Sequence, residues 1–256
     1  MLYEVLGALR VTDGHESRFI SAPKIELLLA TLLARADRVV AADELMAEIW
    51  GERAPRRAAA GIHVYVSELR KFLGSPGRGQ SPIVTRSPGY ILRLEPGDEL
   101  DYRIFADLVA SGRAKLRAEL HHESCAELES ALAMWRGPVF ADTGNGHILR
   151  SFAAWLSELR LECTELLMEA RLRLGKHRES VGQLYSLVAE HPLRETYYRQ
   201  LMVALYRSER RGDALGVYQQ ARSVLMDELG IEPCSALRDV HQAILAADEQ
   251  MLCAAA

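Results

Sequence analysis

The sequence predicts a mainly α protein with small β elements, in two parts: a winged helix-turn-helix segment followed by an all-α array of helix pairs. Three observations carry this prediction. Apolar residues recur at i, i+3, i+4 and i+7 over much of the chain, the period of amphipathic helices. Short apolar runs flanked by turn residues appear near residues 2–21 and 83–93, as hairpins require. The charge also changes sign along the chain: residues 1–97 hold 13 basic and 11 acidic side chains, net +2, and residues 98–256 hold 18 and 24, net −6. Glu95-Pro96-Gly97-Asp98 interrupts the apolar pattern at the same place, so the domain boundary is set there, giving domains 1–97 and 98–256.

Composition narrows the classes. With 256 residues, 49% apolar and 26% charged, the chain is globular rather than disordered and long enough to bury a core without staples. Its four cysteines, Cys125, Cys163, Cys234 and Cys253, are far apart and read as reduced, mostly buried thiols. No stretch approaches the roughly 18 uncharged apolar residues of a membrane span. Glu4 breaks the first apolar run with no basic residue before it, so the start reads as a strand and not a signal peptide. A cytoplasmic protein with no membrane partner is expected. The net charge of −4 argues against a nucleic-acid binder until it is resolved by position. Across residues 53–93, Arg53, Arg56, Arg57, Arg70, Lys71, Arg78, Arg86 and Arg93 face one acid, Glu68, a local +7 that suits phosphates.

Residues 2–11 and 18–21 flank Thr12-Asp13-Gly14-His15 and read as a hairpin. Pro23 suits the first turn of a helix, and Ile25, Leu28, Leu29, Leu32 and Leu33 form its stripe. A second helix over residues 42–50 buries Leu45, Met46, Ile49 and Trp50 and stops at Gly51. The third helix has an apolar back of Ile62, Tyr65, Val66, Leu69, Phe72 and Leu73 and ends at Gly74. Its front carries Arg56, Ala60, His63, Ser67 and Arg70, flanked by Arg57, Val64 and Lys71. Such a helix fits a major groove, although by itself this front reads better as a solvated face that contacts nothing. After the loop at residues 74–82 come two strands, 83–86 and 90–93, turned by Ser87-Pro88-Gly89. Hairpin, three helices and a basic-tipped hairpin make a helix-turn-helix with a wing, and Arg86 at the wing can meet a phosphate or enter a minor groove.

From Asp101 the helical pattern continues, with helices expected at 101–118, 122–135, 147–174, 177–190, 193–208, 212–228 and 234–248. Short turns between them suggest antiparallel pairs. On a 34-residue tetratricopeptide template, Tyr198, Leu201, Leu205, Ala214, Tyr218 and Ala221 fall on signature positions, whereas Met202 and Met226 depart, so the array is degenerate. The Tyr, Trp and Met residues of this part lie at helical spacing and read as core.

Three stretches, Arg38-Val39-Val40 through Glu48-Ile49-Trp50-Gly51, Val64-Tyr65-Val66-Ser67-Glu68-Leu69-Arg70-Lys71, and Thr85-Arg86-Ser87-Pro88-Gly89-Tyr90, resemble the OmpR-type winged helix and, more closely, the Streptomyces antibiotic regulatory proteins. Trp135-Arg136-Gly137-Pro138, His191-Pro192-Leu193-Arg194-Glu195, residues 201–206 and Glu228-Leu229-Gly230-Ile231-Glu232-Pro233 are similar to stretches of the bacterial transcriptional activation domain. The resemblance implies an activator of a secondary-metabolite gene cluster that binds promoter direct repeats side by side and recruits RNA polymerase holoenzyme. Ala59 and Glu68 depart from the family pattern, where Arg is common, which implies a different base preference. Glu68 can accept from a cytosine amino group or pair with a nearby Arg.

The DNA-binding residues expected are therefore His63, Val64, Ser67 and Arg70 near the bases and Arg56, Arg57, Lys71 and Arg86 at phosphates. No catalytic constellation, cofactor or metal site is expected. His121-His122 have no third ligand at useful spacing, and the loop at 137–146 follows no strand and precedes no Lys-Ser/Thr, so it reads as a connector. The alternative is a protein-interaction scaffold or a repressor in which the winged helix is a docking module.

Overall fold

Turn residues cut the first hundred residues into short strands and short helices. The computed structural model describes residues 1–74, 81–142 and 146–248. Among them come first Leu2–Glu4 (β1), Arg10–Asp13 (β2), Glu16–Arg18 (β3), Pro23–Ala34 (α1), Val40–Ala41 (β4), Ala42–Trp50 (α2), Ala58–Phe72 (α3), Ile83–Arg86 (β5), Gly89–Leu92 (β6) and Glu99–Leu100 (β7). Helices follow at Asp101–Arg117 (α4), His121–Ala133 (α5), His147–Arg173 (α6), His177–Glu190 (α7), Glu195–Arg207 (α8), Arg211–Leu229 (α9) and Ser235–Ala246 (α10).

The first sheet has the order β3-β2-β1-β7, with β7 parallel to β1 and the other pairs antiparallel. The single strand expected over residues 2–11 is two strands. Its middle leaves the ladder because the buried Asp101 carboxylate takes the N–H groups of Val5 (2.9 and 2.8 Å) and Leu6 (3.0 Å). The second arm of the hairpin is Glu16–Arg18, earlier than the expected 18–21, because Gly14 at φ 60° lets the chain reverse directly between Asp13 and Glu16. The second sheet, β4-β6-β5, pairs Thr85 with Tyr90 and Arg86 with Gly89. Gly89 is required at its place: a Cβ there would lie 1.9 Å from the Val40 carbonyl oxygen of β4. The Ser87–Pro88 bond in this turn is cis.

Packing divides the chain into two compact units, Met1–Asp107 with Ala131–Arg160, and Leu108–Ser130 with Leu161–Ala256. This division is not the linear one at 97/98, since residues beyond that point complete the first core.

In the first unit, α1 contributes the fully buried Leu28, Leu29, Leu32 and Leu33, α2 contributes Leu45, and α3 contributes Ile62, Val66 and Leu69. Met46 and Trp50, expected inside, are only half-buried. Residues 131–160 are stitched to the first sheet. The backbone N–H groups of Arg136 and Phe140 donate to the Leu6 and Val5 carbonyls at 2.8 and 3.0 Å, and Arg136 Nη1 reaches the Ala8 carbonyl at 3.2 Å. The loop expected at 137–146 contains Phe140 and Ala141 at positive φ; its residues 143–145 lie outside the described set, as do residues 75–80 of the loop before the wing.

In the second unit, α8 packs against α7, α9 and α10. Tyr198, Leu201, Leu205, Ala214, Tyr218 and Ala221, the template positions, are all buried. Cys163 is fully buried, and burial, helped by the charge of Glu162, pushes its thiol up to about 12, so it is an inert apolar group. Cys125 is buried too, whereas Cys234 is exposed and Cys253 lies outside the described residues. Tyr185 and Met226, expected in the core, are 39% and 42% exposed, and Trp155 of the first unit, also expected there, is 46% exposed, although its ring packs against those of Phe152 and Tyr102 at 5.6 and 6.1 Å.

Candidate nucleic-acid interface

The third helix begins later than its polar face suggests. Ala58 N–H bonds back to the Pro55 carbonyl at 2.9 Å, closing a turn over Arg56 and Arg57, and α3 starts at Ala58. Arg56 therefore precedes the helix rather than lying on its front, and Arg57 is the N-cap; both are exposed. Behind the face, Ala58, Ile62, Val66 and Leu69 are buried, and Tyr65 stacks on Trp50 of α2 with ring centroids 5.9 Å apart. Gly61 lets Trp50 approach: a Cβ there would stand 3.3 Å from the indole ring. At the far end, Arg18 Nη1 donates to the Phe72 carbonyl at 3.1 Å and its guanidinium lies over the Phe72 ring. The helix is clamped at both ends and along its back.

Its front is open. His63, Val64 and Ser67 are exposed, and Val64, at 58%, is more exposed than the aliphatic side chains Val39 and Leu229 (40% and 52%). Lys71, also exposed, pairs with Glu68 at 2.9 Å, so the partner expected to be an Arg is a Lys. An exposed pair of this kind contributes at most about 1 kcal/mol and gives way to a phosphate at little cost. Arg86 is exposed at the tip of β5, and no acid bonds to it among the described residues.

Two side chains of the front are tied to the wing. Arg70 is half-buried; its Nε donates to the Ile83 carbonyl at 3.0 Å and its Nη2 to Thr85 Oγ1 at 2.8 Å. His63 Nδ1 lies 2.7 Å from the hydroxyl of Tyr90, which is 4% exposed. Burial pushes the Tyr90 phenol above its ordinary value, partly offset by the charge of Arg70, so it stays a neutral donor. Thr85 and Tyr90 are directly opposed across the β5–β6 ladder, so one cross-strand pair holds two residues seven apart on α3.

Sequence reasoning missed Thr85 and Tyr90, although Tyr90 closes one of the motifs it singled out. It also missed two buried carboxylates that tie distant segments of the first unit together. Glu48 of α2, 6% exposed, accepts from the backbone N–H groups of Ile148 (2.6 Å) and Leu149 (3.3 Å) at the start of α6. There it satisfies orphan donors and faces the positive end of the helix. Asp101 accepts from the backbone N–H groups of Val5 and Leu6, just past β1; burial pushes its carboxyl up against the pull of those N–H groups and of Arg136. The backbone amides that each carboxylate accepts from lie 95 or more residues away in sequence, so no local pattern could have announced them.

Among the described residues, no group of three or more His, Cys, Asp or Glu could hold a metal ion, and no helix is long and apolar enough to cross a membrane.

Comparison with known proteins places this geometry. Residues 20–92 match the family described as transcriptional regulatory protein, C terminal, and residues 100–245 match the bacterial transcriptional activator domain. The chain is 36% identical to the transcriptional regulator RedD of Streptomyces coelicolor over 95% of its own length and 70% of RedD. It belongs to the Streptomyces antibiotic regulatory protein family of transcriptional activators. The chain is also 37% identical to the regulatory protein AfsR of Streptomyces griseus, spanning 97% of itself but a quarter (25%) of AfsR. A solved structure of Mycobacterium tuberculosis EmbR, in complex with a low affinity phosphopeptide, superposes with a TM-score of 0.90 at 33% identity, covering 99% of this chain and 67% of that one. The family's winged helix followed by a helical domain is thus the observed architecture.

Proposed function

We propose that this family member is a cytoplasmic, sequence-specific DNA-binding activator of a secondary-metabolite biosynthetic gene cluster. On this reading it binds direct repeats of double-stranded promoter DNA as side-by-side, self-associating protomers and recruits RNA polymerase holoenzyme. Residues 1–97 serve as the DNA-binding domain and residues 98–256 as the activation domain. The observation that carries the reading is the open front of α3, where His63, Val64 and Ser67 stand exposed over a buried apolar back with cations at both ends.

α3 lies in the major groove on this reading. Val64 offers methyl groups to a thymine methyl, and Ser67 offers a hydroxyl to base or phosphate. Arg70 keeps Nε and Nη2 on β5 and presents Nη1 to the groove edge. Arg56, Arg57 and Lys71 hold phosphates, and Arg86 holds a phosphate or enters the adjacent minor groove. Four such cations predict a log affinity that falls with log salt with a slope of about −3 to −4.

Gel shifts of tandem-repeat promoter fragments at several salt concentrations test this. A slope near zero, or equal binding to scrambled repeats, overturns it. Transcription in vitro with purified polymerase then reads the sign of regulation on the same fragments.

A further inference from the structure

We propose that Tyr90 is a positioning residue for sequence reading: it holds His63 in one tautomer, so that the imidazole offers DNA a single Nε2–H donor directed to a purine N7. The inference rests on the DNA-binding reading of α3 and deepens it.

The direction of the Tyr90–His63 hydrogen bond follows from burial. Either the phenol donates to Nδ1, or a protonated Nδ1 donates to the phenol oxygen. Tyr90 is 4% exposed, and among the described residues its hydroxyl has no other hydrogen-bond partner. In the second arrangement the phenol proton would be buried with no acceptor, a cost that folded proteins avoid. In the first, every group is satisfied. The phenol therefore donates, Nδ1 accepts, and the ring proton of the neutral imidazole resides on Nε2. His63 is exposed on α3, so that nitrogen is the one left to an outside partner.

This determines what His63 reads. A lone N–H donor in the major groove seeks an acceptor: guanine O6 and thymine O4 already accept from their pairing partners, which favours N7, displayed unpaired by both purines, while the exocyclic amino groups of adenine and cytosine are donors and are rejected. A free histidine could meet either kind by switching tautomer; one bonded to Tyr90 cannot switch without stranding the phenol. The wing thus contributes to base choice without Tyr90 touching DNA. The arrangement is rigid on both sides, because Thr85, paired with Tyr90 across the ladder, accepts from Arg70 on the same helix.

The test uses the full chain and a duplex selected by the wild-type protein from a random pool. Affinities for it are measured for wild type, Tyr90→Phe, His63→Ala and the double variant, on the natural duplex and on duplexes carrying 7-deazaguanine or 7-deazaadenine at single purines. Tyr90→Phe keeps the ring and its packing, and equal melting temperatures of variant and wild type confirm an intact fold. The expected result is a 3- to 10-fold loss of specific affinity in Tyr90→Phe that vanishes in the His63→Ala background. One 7-deaza position should weaken wild type but not His63→Ala. Additive effects of the two substitutions, no effect of Tyr90→Phe, or no purine whose N7 is sensed through His63 overturns the inference while leaving the DNA-binding reading in place. A wild-type chain that selects no sequence removes both.

Discussion

α3 and α8 are both amphipathic by sequence, yet they end in opposite situations. α8 buries Tyr197, Tyr198, Gln200, Leu201, Met202, Val203, Ala204 and Leu205, side chains that point in every direction around the helix. Its neighbours α7, α9 and α10 cover it. α3 buries one narrow row, Ala58, Ile62, Val66 and Leu69, and leaves His63, Val64, Ser67 and Lys71 exposed. A helix covered on all sides is specified by its own chain. A helix clamped from behind and bare in front is specified by its chain only in position, and its exposed chemistry remains available to something else. On the proposed function, stability and recognition are carried by different helices, and substitutions should separate them.

The largest effect is expected in α8. Leu201→Ala removes a fully buried side chain and should lower stability by about 2–5 kcal/mol in urea unfolding, because the cavity adds to the lost transfer energy. A loss under 1 kcal/mol would mean that α8 is not the packed centre of its unit.

Next comes the link between α3 and the wing. Arg70→Ala frees the Ile83 carbonyl and Thr85, and should reduce specific DNA binding by more than tenfold, while Arg173→Ala on α6 leaves footprints unchanged. Equal footprints for the two variants would break the assignment of the α3 front.

A smaller and more selective change is expected on the bare face. Val64→Ala and Ser67→Ala should each alter unfolding free energy by less than about 0.5 kcal/mol, as exposed substitutions do, yet lower specific affinity by roughly tenfold. Arg86→Ala should lower binding to all sequences alike and flatten the salt slope by about one unit.

The smallest concerns His177 at the start of α7, whose imidazole is pulled down by burial and by the charge of Arg207. The unfolded chain then binds a proton that the folded one refuses. This destabilises the fold as pH falls below about 6.5 and ends once pH passes the folded value. His177→Gln should flatten thermal stability across that window without moving DNA affinity.

The helices of the second part were legible to within two residues at each end, because long amphipathic periods and short turns report helix boundaries well. α2 was legible in full, from Ala42 to Trp50. β4 and β7, two residues each, were not, since two residues carry no period; they exist because β6 and β1 offer free edges. The row of exposed side chains on α3 could be read from spacing. That Arg56 falls outside the helix depends on a turn, and that Arg70 and His63 are held by the wing depends on contacts 13 to 27 residues away. Hydrogen bonds between distant segments leave no local signature, and the carboxylates of Glu48 and Asp101 are the clearest cases.

Those two carboxylates bear on how the protein can be dissected. A fragment ending at residue 97 would lose β7, strip Val5 and Leu6 of the Asp101 acceptor, and leave the Glu48 carboxylate with no backbone amides to bind. What looks like a portable DNA-reading module in sequence is, in its bonding, an unfinished one, and the smallest self-consistent piece includes residues 131–160.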